Sequence, residues 1–159
     1  MEALDSSLEQ LAVYIHPQKQ ILSKDVENLL GKSVQEDVFQ LMECLLEKDV
    51  SRSCRILESL IKEGSGAHEI LPVLASQFER LYRAVVLLDE NKSAQEVGVE
   101  LKMHPYFLDK FIRQARKVSL SEIRKILKQL LECDHGIKTG RFSPTPALEK
   151  AVLEIGLGT

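Results

Sequence analysis

The sequence predicts an all-α fold, a multi-helix bundle of about nine helices, on three observations. Apolar residues recur at helical spacing along nearly the whole chain, and no segment shows four or more apolar/polar alternations with β-branched residues. Aromatic residues make up 5% of the chain and tryptophan is absent, so Leu, Ile and Val have to fill the core. Capping boxes, glycines and prolines punctuate the periodic stretches at helix-length intervals. With 159 residues and 44% hydrophobic content, the chain can bury that core without staples.

The first expected helix carries Leu4, Leu8, Leu11, Ala12 and Ile15 and stops before His16-Pro17, because a residue preceding proline is pushed out of the helical region. A short second helix opens at Ser23 and closes at Gly31. Ser33-Val34-Gln35-Glu36 has capping-box form and starts a third helix with Val38, Leu41, Met42 and Leu45 inward. Asp49 caps a fourth, whose stripe is Val50, Cys54, Leu57, Leu60 and Ile61, and Gly64-Ser65-Gly66 ends it. The fifth and longest has Leu71, Leu74, Phe78, Leu81, Val85 and Leu88 spaced alternately by three and four, a seam for a neighbouring helix. Pro72 fits that helix only in its first turn, where a missing amide costs nothing. Two further boxes, Ser93 to Glu96 and Ser119 to Glu122, start the sixth and eighth helices, and Pro105 is placed to be the first residue of the seventh. The eighth carries Ile123, Ile126, Leu127, Leu130 and Ile137 and ends at Lys138 and Gly140. Thr145-Pro146 opens the last, with Leu148, Val152 and Ile155 inward and Gly156 closing it.

The net charge of −3 conceals an uneven distribution. Residues 1–100 hold 10 basic and 18 acidic side chains, whereas residues 101–140 hold 9 basic and 4 acidic ones. Such polarity suits docking onto an oppositely charged neighbour or an approach to nucleic acid. Cys44, Cys54 and Cys133 are an odd count without Cys-x-x-Cys spacing and read as buried reduced thiols. Neither a signal peptide nor a membrane span is expected, which places the chain in the cytoplasm.

Chemistry-bearing motifs are few. There is no phosphate-binding G-x-x-x-x-G-K-[ST] loop, and His16, His68, His104 and His135 have no partners at metal-ligand spacing, so neither cofactor nor metal is expected. Asp134 and His135 are adjacent and point to different helix faces, which argues against a catalytic role. Asp134 falls four residues after Leu130, where an unpaired inward charge would be expensive, and Lys138 one turn on is its expected structural partner. The rival to a binding module without DNA specificity is a helix-turn-helix DNA reader using residues 93–117. The candidate contacts to nucleic acid or a protein partner are Lys110, Arg113, Arg116, Lys117, Arg124 and Lys128. Against sequence-specific reading, Phe107, Phe111, Ile112 and Ala115 claim one face for a core and the whole chain is acidic.

The order of motifs resembles the delta-subunit family of the bacterial DNA polymerase III clamp loader. Leu8-Glu9-Gln10-Leu11 and Ser23-Lys24-Asp25-Val26-Glu27 resemble the end of its lid, and Ser33 through Leu41 the start of its collar. Ile70 through Leu81 is similar to the family's long helix, with Gln77 and Arg80 as motif positions. His104-Pro105-Tyr106 then precedes Gln114-Ala115-Arg116, and Cys133-Asp134, Ile137 through Gly140 with Thr139, and Ala147-Leu148-Glu149 follow in the family's order. The resemblance implies a remnant of an AAA+-type helical lid over 1–32 and a C-terminal collar over 33–159. It also implies that the chain is roughly the C-terminal half of such a protein, non-catalytic on its own, with the nucleotide-binding-like domain and the grip on the sliding clamp in the missing half. The implied partners are the tau/gamma and delta prime subunits, joined through the collar at the nucleoid-associated replisome, with non-specific primed DNA in the full complex.

Overall fold

The structure, a computed structural model, describes residues 34–159. Among these residues are seven helices and no strand: α1 (34–46), α2 (Val50–Lys62), α3 (Ala67–Asp89), α4 (Ala94–Glu100), α5 (Pro105–Lys117), α6 (Leu120–Lys138) and α7 (Pro144–Leu157). They correspond one to one with the seven expected from Ser33 onward. The two helices expected before it, and Ser33 with its capping box, lie outside the described residues. Residues Val38–Thr159 form one compact unit.

Helix α3 is the centre of that unit. It packs most extensively against α6, then against α5, α7 and α4, while α7 also lies against α2 and α6, and α4 against α5. Its seam explains this role: Ile70, Leu71, Leu74, Phe78, Leu81, Ala84 and Val85 are buried, so one wide apolar arc serves several neighbours. On α1, Val38, Leu41, Met42 and Leu45 are all fully buried, as their spacing predicts. On α2, Leu57 and Leu60 are buried, and so is Ser53, which hydropathy patterning misses. Its hydroxyl donates to the Asp49 carbonyl at 2.8 Å, which removes the penalty of burying it.

Several helix ends differ from expectation. Pro72 sits in the second turn of α3, because Gly66 and Glu69 start the helix at Ala67. The carbonyl of His68 consequently has no amide to meet four residues on, and both residues are exposed, so water can serve it. The Ser93 box is complete: the hydroxyl accepts from the Glu96 amide at 3.1 Å, and the Glu96 carboxylate from the Ser93 amide at 2.8 Å. The Ser119 box is half made. Its hydroxyl accepts from the Glu122 amide at 3.1 Å, but the Glu122 carboxylate reaches Lys48 at 3.1 Å instead. Helix α7 starts at Pro144, with Ser143 at the N-cap position but making no side-chain cap, and continues through Gly156 to Leu157, where Gly158 ends it at φ +79°. Asp134, expected on the inward stripe, keeps 30% of its side chain exposed. The buried stripe of α6 runs from Leu130 to Cys133 and Gly136, a step of three rather than four.

The complete box carries a pH prediction. The Ser93 amide, followed by its hydroxyl, holds the Glu96 carboxyl below its ordinary 4.5. A carboxyl depressed on folding stabilises above its unfolded value and loses that contribution as pH falls through the folded one. Glu96→Gln is therefore expected to flatten the pH dependence of the melting temperature in the acid range around and below 4.5. Parallel acid limbs for Glu96→Gln and wild type would refute the role of this box.

Candidate functional site

The cations expected to make contacts sit in distinct environments. On α5, Leu108, Phe111, Ile112 and Ala115 are buried and set the inward face. Leu108 replaces Phe107 in the expected core face because it closes onto Gly98 of α4: a Cβ there would lie 2.8 Å from its Cδ2. Phe107 is left 42% exposed. Opposite the core, Tyr106, Lys110, Arg113 and Lys117 are spaced four, three and four, so they form one exposed row about 16 Å long. Arg116 flanks the row. Arg113, Arg116 and Lys117 are exposed and make no ion pair among the described residues. Lys110 is engaged: its Nζ lies 2.9 Å from Glu43 Oε2 on α1 and 5.9 Å from the Phe39 ring centroid.

The other two candidates are on α6. The Arg124 guanidinium donates to the Tyr82 hydroxyl at 3.3 and 3.4 Å and lies 5.7 Å from that ring's centroid. Lys128 is exposed. Since α5 and α6 each pack on α3, the basic segment read as continuous in sequence is divided between two helices. Asp134 and Lys138 approach to 2.9 Å at the solvent-facing edge of α6.

The motif positions are mostly architectural. Arg80 Nη2 donates to the Leu101 carbonyl at 3.1 Å, tying α3 to the end of α4. Gln77 is half-buried, and the Oε1 of Gln114 is buried and meets no hydrogen-bond donor among the described residues. Ala115 and Leu148 are buried in the core. The Thr139 hydroxyl donates to the His135 carbonyl at 2.9 Å, and Gly140 at φ +79° ends α6. Glu149 is exposed.

A second feature went unread in the sequence. An open groove of about 850 Å³ lies between α6 and α7, lined by Leu131, Cys133, His135, Phe142, Pro146 and Lys150. Leu131 and Phe142 are among the large apolar residues left exposed, as are Leu153 and Leu157 on α7, Tyr106 on α5 and Val99 on α4. The Cys133 thiol is pushed above its ordinary value by burial and then by Asp134, which makes it a poor nucleophile. Cys44 is likewise raised, chiefly by burial. Among the described residues there is no group of His, Cys, Asp or Glu able to hold a metal, and no helix long and apolar enough to cross a membrane.

The family profile for the C-terminal domain of the DNA polymerase III delta subunit matches residues 35–155. The chain belongs to this family. It is 23% identical over 155 residues to the DNA polymerase III subunit delta of Bacillus subtilis, covering 98% of this chain and 45% of that one. With the probable DNA polymerase III subunit delta of Aquifex aeolicus it shares 29% identity over 140 residues, 82% of this chain and 38% of that one. The solved Bacillus subtilis DNA clamp loader delta protein superposes at a TM-score of 0.72 with 25% identity, over 84% of this chain and 40% of its own. The chain thus spans less than half the length of these relatives. Membership in the delta C-terminal domain family agrees with the helical architecture.

Proposed function

We propose that this chain is the C-terminal, subunit-joining part of a clamp-loader delta protein, non-catalytic by itself and acting in the bacterial cytoplasm. Its collar spans 33–159, preceded by a lid remnant over 1–32, and it joins tau/gamma and delta prime subunits through helix-helix contacts. Contact with a sliding clamp is assigned to a nucleotide-binding-like domain not contained in this sequence. The observation that carries this reading is the family match over 35–155. The apolar residues left exposed along α6, α7 and the turn between them, Leu131, Phe142, Leu153 and Leu157, are suited to a neighbouring helix. Mixing the chain with tau/gamma and delta prime collar domains at tens of micromolar is expected to give an earlier-eluting complex in size-exclusion chromatography. Unchanged elution at that concentration would refute the reading.

One observation supports a second role within the same assembly, contact with primed DNA. The α5 row places Tyr106, 79% exposed, in line with Lys110, Arg113 and Lys117, an aromatic face followed by cations. That arrangement suits a single strand, with a base stacked on the ring and phosphates along the helix. Fluorescence anisotropy with an oligothymidylate of about 15 nucleotides is expected to show binding that weakens with salt. Tyr106→Ala should weaken it by about 1–3 kcal/mol, and Arg113→Ala should lower the salt slope by about 0.7. Preference for one duplex sequence would instead favour the helix-turn-helix reading of 93–117.

A further inference from the structure

We infer that Lys110 couples the outer face of α5 to the seating of α1, because a polyanion on that face competes with Glu43 for the same ammonium group. This rests on the nucleic-acid reading of the α5 row and adds its regulation.

Lys110 occupies the second place in the row, between Tyr106 and Arg113, with 56% of its side chain exposed. Its ammonium nevertheless turns toward α1, where it meets Glu43 at 2.9 Å beside the Phe39 ring. A lysine stem is flexible enough to swing the charge between that pair and the row. Glu43 has no such freedom: its side chain is 13% exposed, and Lys110 is its one ion-pair partner among the described residues. Removing the cation would leave a nearly buried carboxylate uncompensated, which destabilises strongly. A phosphate that recruits Lys110 therefore loosens the Glu43 side of α1, and a phosphate that binds without it forgoes one cation of the row. Binding and pairing thus oppose each other: removing the charge of Glu43 frees Lys110 and strengthens binding, just as binding that recruits Lys110 loosens α1. Helix α1 carries Val38, Leu41, Met42 and Leu45 in the core, so loosening registers as amide exchange in 34–46.

The test uses oligothymidylate anisotropy on wild type, Glu43→Gln, Lys110→Gln and the double variant, with hydrogen exchange of wild type with and without the oligonucleotide. Glu43→Gln is expected to bind about three- to tenfold tighter, with a salt slope steeper by at most about 0.7, the smaller the more often Lys110 already leaves Glu43 in the wild-type complex. The double variant should bind like Lys110→Gln alone. Oligonucleotide should speed exchange in 34–46 of wild type, a readout that does not depend on any variant folding. Wild-type binding with Glu43→Gln indistinguishable in affinity and slope, and with exchange in α1 unchanged, overturns the coupling but leaves the α5 site standing. Absence of binding by both wild type and Glu43→Gln overturns both readings, whereas binding by Glu43→Gln alone supports the coupling.

Discussion

Phe78→Ala is expected to destabilise the fold by about 3–5 kcal/mol, the range for removing a buried phenyl ring. The ring is fully buried near the middle of α3, the helix against which α4, α5, α6 and α7 all pack. A helix with one neighbour can shift to refill a cavity, but α3 is held from several sides, so relaxation on one side opens gaps on another. Against a total stability of about 5–15 kcal/mol, such a loss removes a large share. Urea titration should show a lowered midpoint at an unchanged slope, the signature of lost stability without a change in exposed surface. Phe142→Ala is the matched control, since that ring is 41% exposed at the α6–α7 turn, and about 1 kcal/mol or less is expected there. If Phe78→Ala cost no more than Phe142→Ala, α3 would not be the centre of the packing.

Much of this architecture was legible because helix cores and helix starts are local. The three-four spacing from Leu71 to Val85 can satisfy only a buried seam, and Ser93 with Glu96 can exchange hydrogen bonds only at a helix start. Pro105 needs a first-turn position and has one. The misreadings occur where a non-local partner decides. Glu122 has the sequence of a capping residue, yet Lys48 from outside its helix competes for its carboxylate. Asp134 continues a stripe by one rule of spacing, but α7 and Phe142 press on the side where Gly136 lies: a Cβ at Gly136 would come 2.1 Å from the Phe142 ring. The inward step is therefore taken by Cys133 and Gly136, and Asp134 turns to the edge.

The candidate site was half legible for the same reason. Charge counting found the cations between 102 and 128, because a count needs no geometry. It could not see that Arg124 lies over Tyr82, that Lys110 answers Glu43, or that Tyr106 stands in line with Arg113 and Lys117. The last of these was recoverable, since positions 106, 110, 113 and 117 follow helical spacing on the side opposite Leu108, Phe111, Ile112 and Ala115. The groove between α6 and α7 was not, because its walls come from two helices whose relative placement no local pattern states.

Gly156 offers the second large effect, in a series whose cost rises with side-chain size. A glycine near a helix end reads as a terminator, but here it is helical and buried where α7 meets the α1–α2 junction. A Cβ would stand 3.2 Å from Val50 Cγ2 and 3.6 Å from Leu45 Cδ2. Gly156→Ala therefore gains about 1 kcal/mol of helix propensity and gives back a comparable amount in displacing Val50, for a change near zero. Gly156→Val adds two carbons more than alanine beside Val50 and Leu45, the latter fully buried, and about 1–3 kcal/mol or more of overpacking should then dominate. Chemical denaturation of both variants decides the matter: alanine near wild type with valine well below it identifies a close helix crossing. Valine equal to or better than alanine would mean that α7 does not seat against Leu45 and Val50.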